Sequence, residues 1–381
     1  MSVGLNVSSS EVSSDERRIH PIGSVRPVDW VYSRAPMTVY WEMTIACALA
    51  CRHCRAKAWK RPAPGELTTE QGVALLDEIT RFGDPLPHMI LSGGDPLRRP
   101  DLMELLQEAR DRRLGVSLSP AVTPDLTRDR LAGLREAGTT AISLSLDGSN
   151  PELHDGLRRV PGTFDLTMRG LDWAGELGIP VQINTLVTEA TMRDLPALYR
   201  LLATKHVQRW TLFFLIQTGR GKMLREITAE QAEEVLVWLN DLRGVAPFQV
   251  STTEALHFRR VTAQAMEARG MTREEIAASP VARSFGVRDG NGIVFISHTG
   301  NVTPSGFLPV TIGNVKEDSL VDLYQNHSLM RDLRTPSRFG GDCGVCEYNT
   351  WCGGARSRAY SATGDPLAAD PLCAYRPAVR R

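Results

Sequence analysis

The sequence lacks both a net charge and a long apolar segment, and each absence excludes a class of protein. Its 381 residues include 44 basic and 44 acidic side chains, so the formal net charge is zero. Nucleic-acid-binding proteins usually carry a basic excess, and no such partner is expected here. No run of about eighteen apolar residues is present, which predicts that no helix spans a membrane. Residues 1–29 also lack the apolar core of a signal peptide, so we expect a cytoplasmic protein.

Cysteine is scarce and odd in number, which argues against a disulfide framework. The seven cysteines form a triad and a tetrad. Cys47, Cys51 and Cys54 have the spacing C-x3-C-x2-C and follow an apolar run that is predicted to be a buried strand. Three thiolates can hold three irons of a 4Fe-4S cluster and leave the fourth iron without a protein ligand. On the triad alone, zinc and purely structural thiols remain open alternatives.

Strand-like and helix-like segments alternate six times between Thr38 and Leu242. The predicted strands begin at Thr38 and then occupy His88–Leu91, Gly115–Leu118, Thr140–Leu146, Pro180–Leu186 and Arg209–Leu215. Such alternation is typical of an α/β protein with a parallel sheet and helices outside it. Six units are fewer than the eight of a closed (β/α)8 barrel. The loops that follow the strands should gather at one mouth, which is therefore the expected place for the active site.

Gly93-Gly94-Asp95 follows the second predicted strand. Glycine lets the backbone approach a ligand closely and tolerates the φ angle of a sharp turn. Taken alone, this tripeptide is equally compatible with an ordinary turn. Together with the cysteine triad after the first strand, it resembles the radical S-adenosylmethionine (radical SAM) superfamily. That resemblance implies a partial (β/α)6 TIM-like barrel and an enzyme that cleaves S-adenosylmethionine at the open iron to release a 5′-deoxyadenosyl radical.

The resemblance also implies roles for residues near the cluster. Gly93, Gly94 and Asp95 would contact the amino group of the cofactor, although the family more often has Glu at the position of Asp95. His53 stands where the family usually has an aromatic residue beside the adenine. Arg158 matches an arginine that would pair with the cofactor carboxylate. Two further polar residues are weaker candidates for contacts with the ribose hydroxyls: Ser145 and Asn184.

The second cysteine group is Cys343, Cys346, Cys352 and Cys373. Four thiolates can close the shell of a zinc ion or of a second 4Fe-4S cluster, and ligand count does not separate the two. The segment resembles the SPASM/Twitch extension of radical SAM enzymes, which implies an auxiliary cluster. A full SPASM domain holds two auxiliary clusters, and the nearer one would need cysteines where this chain has Ser305 and Arg356. The resemblance therefore implies one auxiliary cluster.

The expected domains are a polar tail at 1–35, the barrel at 36–245, a bridging segment at 246–285 and the auxiliary cluster domain at 286–381. Within the last domain, Ile293–Ile296 and Val302–Pro304 read as a hairpin. The Cys352–Tyr360 and Gly219–Gly221 segments are similar to the tetrapyrrole-modifying branch of the superfamily, which includes enzymes of haem and haem d1 synthesis. That similarity implies a carboxylate-bearing small molecule or tetrapyrrole as substrate, and decarboxylation or side-chain modification as reaction.

Two alternatives stay open from the sequence: a ribosomal peptide maturase, and a non-enzymatic iron–sulfur electron carrier. The first is less favoured because no peptide-recognition domain precedes the triad, and a carrier would need no open iron. The family resemblance also implies a flavodoxin- or ferredoxin-type electron donor. The remaining candidates for substrate contact are the basic residues Arg220, Lys222, Arg259 and Arg260 and the acid/base candidates Glu254, His257 and His298. For each of them a structural or solvated role is the favoured interpretation.

Overall fold

The computed structural model describes residues 30–378, and the side chains of residues 283 and 284 are left out of the description. The polar tail predicted at 1–35 therefore falls mostly outside the described residues. Its last part is ordered: Trp30 is buried, and the Tyr32 carbonyl accepts a hydrogen bond of 2.6 Å from the Tyr324 hydroxyl. Residues 30–35 thus pack against the C-terminal part of the chain.

The described chain contains ten strands and thirteen α-helices. The strands are β1 Thr38–Glu42, β2 His88–Ser92, β3 Val116–Leu118, β4 Thr139–Ser145, β5 Val181–Val187, β6 Arg209–Phe214, β7 Gln249–Thr253, β8 Ile293–Ile296, β9 Asn301–Thr303 and β10 Gly313–Asn314. The helices are α1 Thr69–Thr80, α2 Leu102–Asp111, α3 Arg128–Glu136, α4 Pro151–Arg158, α5 Thr163–Glu176, α6 Leu195–Ala203, α7 Ala229–Leu242, α8 Phe258–Glu267, α9 Arg273–Ala278, α10 Leu320–Asn326, α11 Ser328–Arg334, α12 Gly341–Val345 and α13 Arg356–Thr363.

All ten strands form one sheet in the order β10-β9-β8-β1-β2-β3-β4-β5-β6-β7. The strands from β8 to β7 in that order run parallel, and β9 and β10 are antiparallel additions at one edge. The six predicted strand-and-helix units are confirmed, and the α/β partial-barrel class with a C-terminal extension is borne out. Since the strands are consecutive and parallel from β1 to β7, their carboxyl ends lie at one edge, as a mouth requires.

The sheet extends beyond the six predicted strands. We ended the alternation at Leu242, but β7 continues it and pairs with β6. The β7 sequence QVSTT has a single aliphatic side chain, so the apolar pattern that identifies a strand is absent. At the other edge the predicted hairpin forms, with Phe295 opposite Thr303, and β8 also pairs in parallel with β1. The hairpin is therefore part of the barrel sheet itself.

The two largest hydrophobic cores of the described residues lie in different parts of the fold. The larger core lies between the sheet and its helices and includes Trp41, Ile183 and Trp210. A smaller core joins α8 and α9 to the cysteine tetrad, through residues such as Ile276 and Cys352. The predicted bridging segment is thus packed against the C-terminal part of the chain. Within residues 30–378 no helix is both long and apolar enough to cross a lipid bilayer.

Candidate active site

The loop after β1 carries the cysteine triad and is closed by backbone hydrogen bonds. The amide of Cys47 donates to the Trp59 carbonyl at 2.7 Å, and the Trp59 amide donates to the Ile45 carbonyl at 3.0 Å. Glu66 accepts from the Ile45 amide at 3.0 Å and from the Thr44 hydroxyl at 2.9 Å, which ties the base of the loop to the segment before α1. The loop has a fixed shape in which Cys47 and Cys51 are buried.

The cysteine sulfur atoms receive N–H groups, an arrangement that suits thiolates. The Leu49 amide points at Cys47 Sγ and the Ala58 amide at Cys54 Sγ, each at 3.3 Å. In the second group, three backbone amides reach sulfur at 3.4 Å, namely those of Asp370 to Cys343, Tyr348 to Cys346 and Gly354 to Cys352. Hydrogen bonds to sulfur stabilise the negative charge that metal-bound thiolates carry. Burial, with smaller contributions from Asp95, Cys51 and Cys54, raises the pKa of Cys47 to about 12, so metal binding would release its proton.

Gly93 and Gly94 lie against the triad loop, and this contact explains why neither has a side chain. A Cβ on Gly93 would stand 2.4 Å from the Thr44 carbonyl oxygen, and one on Gly94 would stand 2.4 Å from the Ala46 carbonyl oxygen. The Gly94 amide also donates to Thr44 at 2.7 Å. The sequence analysis attributed these glycines to close approach of a ligand, but in the structure the close neighbour is the chain itself. Their predicted contact with the cofactor remains a prediction.

Asp95 is buried and satisfied from within the protein. Its carboxylate accepts hydrogen bonds from the Leu97 amide at 3.1 Å and the Ala121 amide at 3.3 Å, and from the Thr123 hydroxyl at 3.3 Å. Burial nevertheless raises the pKa of Asp95 to about 6. The side chain joins the loop after β2 to the loop after β3, and its predicted contact with the cofactor amino group stays untested.

Arg158 lies at the end of α4, a short helix that the sequence analysis missed. It is buried, pairs with the Asp147 carboxylate and points Nη1 at Cys51 Sγ at 3.6 Å, while its Nε has no hydrogen-bond partner within residues 30–378. Arg158 is therefore not a solvated surface arginine. His53 has a buried Nδ1 without a partner in the described chain, and burial lowers its pKa to about 4, so the ring is neutral. Both residues offer unused nitrogen atoms beside the triad.

Ser145 and Asn184 lie directly opposite each other on β4 and β5. Both are half-buried, whereas Leu144 and Ile183 beside them are buried in the core. Because side chains alternate between the faces of a strand, the two polar residues share the face turned away from the helices. Asn184 accepts a hydrogen bond from the Gln182 side chain at 2.8 Å. The structure brings the pair together, and contact with a ribose stays a prediction.

Arg220 donates hydrogen bonds to the triad loop from both its side chain and its backbone amide. Its Nε donates to the Cys51 carbonyl at 2.9 Å, and its backbone amide donates to the Cys54 carbonyl at 3.0 Å. Gly219 has φ +56° and passes so close that a Cβ would lie 2.4 Å from the Arg55 carbonyl oxygen. Gly219-Arg220-Gly221 therefore packs against the triad loop and hydrogen-bonds to it. This structural contact differs from the substrate contact considered for Arg220. Lys222, beside it, is exposed.

Glu42 is a site residue that the sequence analysis missed. It is buried at the end of β1, where Arg55 Nη2 lies 2.5 Å and His298 Nδ1 lies 2.7 Å from its carboxylate. The Arg55 guanidinium also stacks over the Phe295 ring at 4.6 Å. Burial would raise the pKa of Glu42, but Arg55 and His298 outweigh it and the pKa is lowered. The signal in the sequence that could have identified Glu42 is an acidic residue at the end of an apolar strand.

The cysteine tetrad surrounds one cavity of about 370 Å³. All four cysteines line it, together with His257 and Arg260 of the α8 region. Within the described residues, no three His, Cys, Asp or Glu side chains converge closely enough to hold a single metal ion. Thiols placed around a volume, with backbone amides aimed at them, suit a multi-iron cluster. Arg259 is half-buried on the same helix, with its Nη1 at 3.4 Å from the Trp351 carbonyl.

The two positions where further cluster ligands are missing have structural roles. Arg356 is fully buried; it donates to the Ala368 carbonyl at 2.6 Å and to Cys343 Sγ at 3.4 Å. The Ser305 hydroxyl accepts from the Phe307 and Leu308 amides at 3.2 Å and shapes the turn after β9. Both side chains are used inside the protein, in keeping with the single auxiliary cluster inferred from the sequence.

Glu254, considered as an acid/base residue, lies in a buried polar network. It directly follows β7 and has φ +60°, an uncommon conformation for a residue with a side chain. Its carboxylate accepts from the Ser357 hydroxyl, while its carbonyl accepts from Arg358 Nη1 at 2.7 Å. Burial and the nearby Asp289 carboxylate raise the pKa of Glu254 to about 8. The network joins the mouth of the barrel to α13.

Comparison with known proteins identifies the class of enzyme. Residues 41–202 match the radical SAM superfamily. The AdoMet-dependent heme synthase of Oleidesulfovibrio alaskensis is 38% identical over 91% of this chain and 89% of its own length. The chain therefore belongs to the radical SAM superfamily, and the non-enzymatic carrier alternative is wrong.

Further relatives indicate the branch. The pre-heme d1 synthase of Dinoroseobacter shibae is 31% identical over 88% of this chain and 85% of its own length. Among solved structures, Streptococcus suis SuiB bound to S-adenosylmethionine has a TM-score of 0.69 over 90% of this chain and 78% of that one; at 16% identity this likeness shows the fold alone. The protein is a radical SAM enzyme similar to the haem branch, and the predicted cofactors, a 4Fe-4S cluster and S-adenosylmethionine, are confirmed.

Proposed function

We propose that this enzyme modifies the carboxylate-bearing side chains of a tetrapyrrole, by decarboxylation or a related radical reaction. The observation that carries the proposal is the 38% identity to an AdoMet-dependent heme synthase over 91% of the chain. When bound, the cluster and S-adenosylmethionine supply a 5′-deoxyadenosyl radical that abstracts a hydrogen atom from the substrate. The peptide-maturase alternative is less well supported, since the mycofactocin maturase of Mycobacterium tuberculosis is 29% identical to this chain, against 38% for the AdoMet-dependent heme synthase.

In this proposal the two cysteine groups bind two different clusters. Cys47, Cys51 and Cys54 hold the cluster that accepts S-adenosylmethionine, and the tetrad holds the auxiliary cluster. Support comes from the donor set, which is all thiol, and from the N–H groups aimed at the sulfur atoms. Since four thiolates fill every iron site, the auxiliary cluster has no vacancy for substrate, and it serves electron transfer or structure.

Several side chains prepare the first site for the cofactor. Asp147 fixes the Arg158 guanidinium, which keeps Nε available for the cofactor carboxylate. The neutral His53 ring can stack on the adenine. Gly93 and Gly94 hold the loops after β1 and β2 in contact, and Arg220 holds the triad loop from the opposite side. The protein thereby fixes the geometry of the site before the cofactor arrives, which lowers the ordering cost of binding.

Two half-buried aromatic rings near the triad loop, those of Phe213 and Phe307, suit a flat substrate. Phe307, in the turn after β9, lies with its ring centroid 6.5 Å from that of Phe213 on β6, and Phe295 lies under the Arg55 guanidinium. Aromatic rings favour offset stacking with other π-systems, as a porphyrin offers. Arg55 adds a positive charge for a substrate carboxylate, and the Glu42 carboxylate orients it.

We further propose that an acidic flavodoxin- or ferredoxin-type protein delivers electrons at the triad loop. Trp59 is 67% exposed there, although its carbonyl accepts from the amide of the buried Cys47. The segment between Glu42 and Glu66 contains no acidic residue. Its exposed basic side chains form no ion pair with any acidic side chain of residues 30–378: Arg52, Lys57, Lys60 and Arg61. Unpaired positive charge around an exposed indole suits docking of an acidic partner.

The proposed reaction is tested with the anaerobically reconstituted enzyme, a reductant and S-adenosylmethionine. Candidate substrates are iron porphyrins with and without free carboxylate side chains. We expect 5′-deoxyadenosine formation to rise with the carboxylate-bearing porphyrin. For a decarboxylation, each modified side chain should lose CO2 and two hydrogen atoms, one abstracted by the 5′-deoxyadenosyl radical and one released as a proton while an electron passes to an oxidised acceptor. Turnover that no tetrapyrrole stimulates, or that a peptide stimulates instead, would overturn the tetrapyrrole proposal while leaving the radical SAM class intact.

A further inference from the structure

The cavity of the cysteine tetrad contains unused hydrogen-bonding groups. His257 is 0% exposed and lines the cavity, yet neither ring nitrogen has a hydrogen-bond partner within residues 30–378. Arg260, one helical turn further on, also lines the cavity and has an unpartnered Nε. Buried polar groups almost always have a partner, so three such atoms beside one cavity point to a missing acceptor.

The surroundings hold Arg260 in place while leaving Nε unused. Its Nη1 donates to Glu233 at 2.8 Å and to Gln264 at 2.7 Å. Its guanidinium also lies over the Tyr375 ring at 4.9 Å. These contacts fix the plane of the group and satisfy its outer nitrogens. The unused Nε–H therefore belongs to a side chain that is already ordered, and little entropy is lost when it finds an acceptor.

We infer that His257 and Arg260 donate N–H groups to the sulfur atoms of the auxiliary cluster and thereby raise its reduction potential. The inference rests on the proposed binding of that cluster by the tetrad. Reduction adds negative charge to the cluster, and N–H groups stabilise the reduced state more than the oxidised state. Arg356 already supplies one such group, at 3.4 Å from Cys343 Sγ. His257 and Arg260 approach the cavity from α8, so the bridging segment tunes the cluster that the C-terminal segment binds.

The test uses the full chain with the triad replaced by alanine, so that only the auxiliary cluster contributes to the spectrum. Its midpoint potential is measured by an electron paramagnetic resonance (EPR) titration. His257→Leu removes the ring N–H, and His257→Gln keeps an N–H donor of similar reach. We expect His257→Leu to lower the potential, His257→Gln to restore most of it, and Arg260→Met, which removes the Nε–H donor, to lower it as well. If all three variants have the same midpoint potential as the triad-free protein with native His257 and Arg260, the inference is overturned.

A second measurement keeps the inference testable if His257→Leu fails to take up iron. Protein with ¹⁵N-labelled histidine is reduced, and pulsed EPR records nitrogen couplings to the cluster. A ¹⁵N coupling that His257→Gln abolishes supports the inference, and its absence from the unmutated protein contradicts it. Iron content separates the two levels of failure: no iron in the triad-free chain means that the tetrad holds no cluster, whereas iron with an unchanged potential rejects only the roles of His257 and Arg260.

Discussion

Glu42 and His298 lie 256 residues apart in the chain, yet the His298 ring donates from Nδ1 to the Glu42 carboxylate at 2.7 Å. The contact joins the end of β1, where the triad loop begins, to the turn of the β8–β9 hairpin. Arg55 of the triad loop pairs with the other carboxylate oxygen. One buried acid therefore connects the proposed cofactor site with the C-terminal hairpin.

Replacing this acid should destabilise the protein in a pH-dependent way. Glu42→Gln leaves Arg55 without its partner, and loss of one member of a buried pair costs about 3 kcal/mol. The folded-state pKa of Glu42 is lowered, so the stabilisation is present above the unfolded pKa and is lost as pH falls through the folded value. Urea unfolding should show a large difference from the unmutated protein at pH 7 and a smaller one in acid. Glu104→Gln, on the exposed face of α2, is the control; a difference that does not shrink in acid would contradict this account.

Substitution of Gly94 should abolish the triad cluster and leave the tetrad cluster intact. The Cβ of Gly94→Ala would overlap the carbonyl oxygens of Ala46 and Ile45 in the triad loop, at 2.4 and 2.5 Å. We expect iron to fall from about eight to about four per chain, because only the tetrad stays intact. Gly156→Ala in α4 is the matched control, since a Cβ there has no neighbour within 4 Å. Retention of all iron in Gly94→Ala would show that the contact between the loops is dispensable.

The Arg158–Asp147 pair should have separable effects on stability and on activity. Arg158→Leu leaves a buried carboxylate unpaired and should cost about 3–5 kcal/mol. The double variant with Asp147→Asn should recover most of that stability, since no buried charge then remains. Formation of 5′-deoxyadenosine should stay low in both variants, because the donor for the cofactor carboxylate is absent. Full recovery of product in the double variant would reduce Arg158 to a structural role.

Electron delivery should depend on charge at the triad loop. Lys60→Glu should slow reduction of the enzyme by reduced flavodoxin severalfold at low salt, and the difference should fade at high salt. Reduction by dithionite should be unaffected. Arg269→Glu, an exposed charge following α8, is the control for entry on the auxiliary side. If Arg269→Glu slows reduction of the enzyme by flavodoxin and Lys60→Glu does not, electrons enter at the tetrad and the proposed docking site is wrong.

The sequence predicted the six strand-and-helix units, the family and both cysteine groups, because periodicity and cysteine spacing are local signals. β7 was missed because QVSTT has almost no apolar pattern, and the pairing of β8 with β1 depends on contacts between distant segments. The same limit applies to Glu42 and Arg220, whose partners are identified only by the fold. The glycines after β2 were singled out correctly, but the close contact that they require is with another loop.

The central claim is that the triad holds a cluster with an iron open to S-adenosylmethionine and that the tetrad holds a second, closed cluster. EPR of the reduced, reconstituted enzyme, recorded with and without S-adenosylmethionine, tests it most directly. The account predicts two signals, of which one changes on addition of S-adenosylmethionine and disappears when Cys47, Cys51 and Cys54 are replaced by alanine. If neither signal changes on addition of S-adenosylmethionine, or if the signal that responds survives loss of the triad, the account is contradicted.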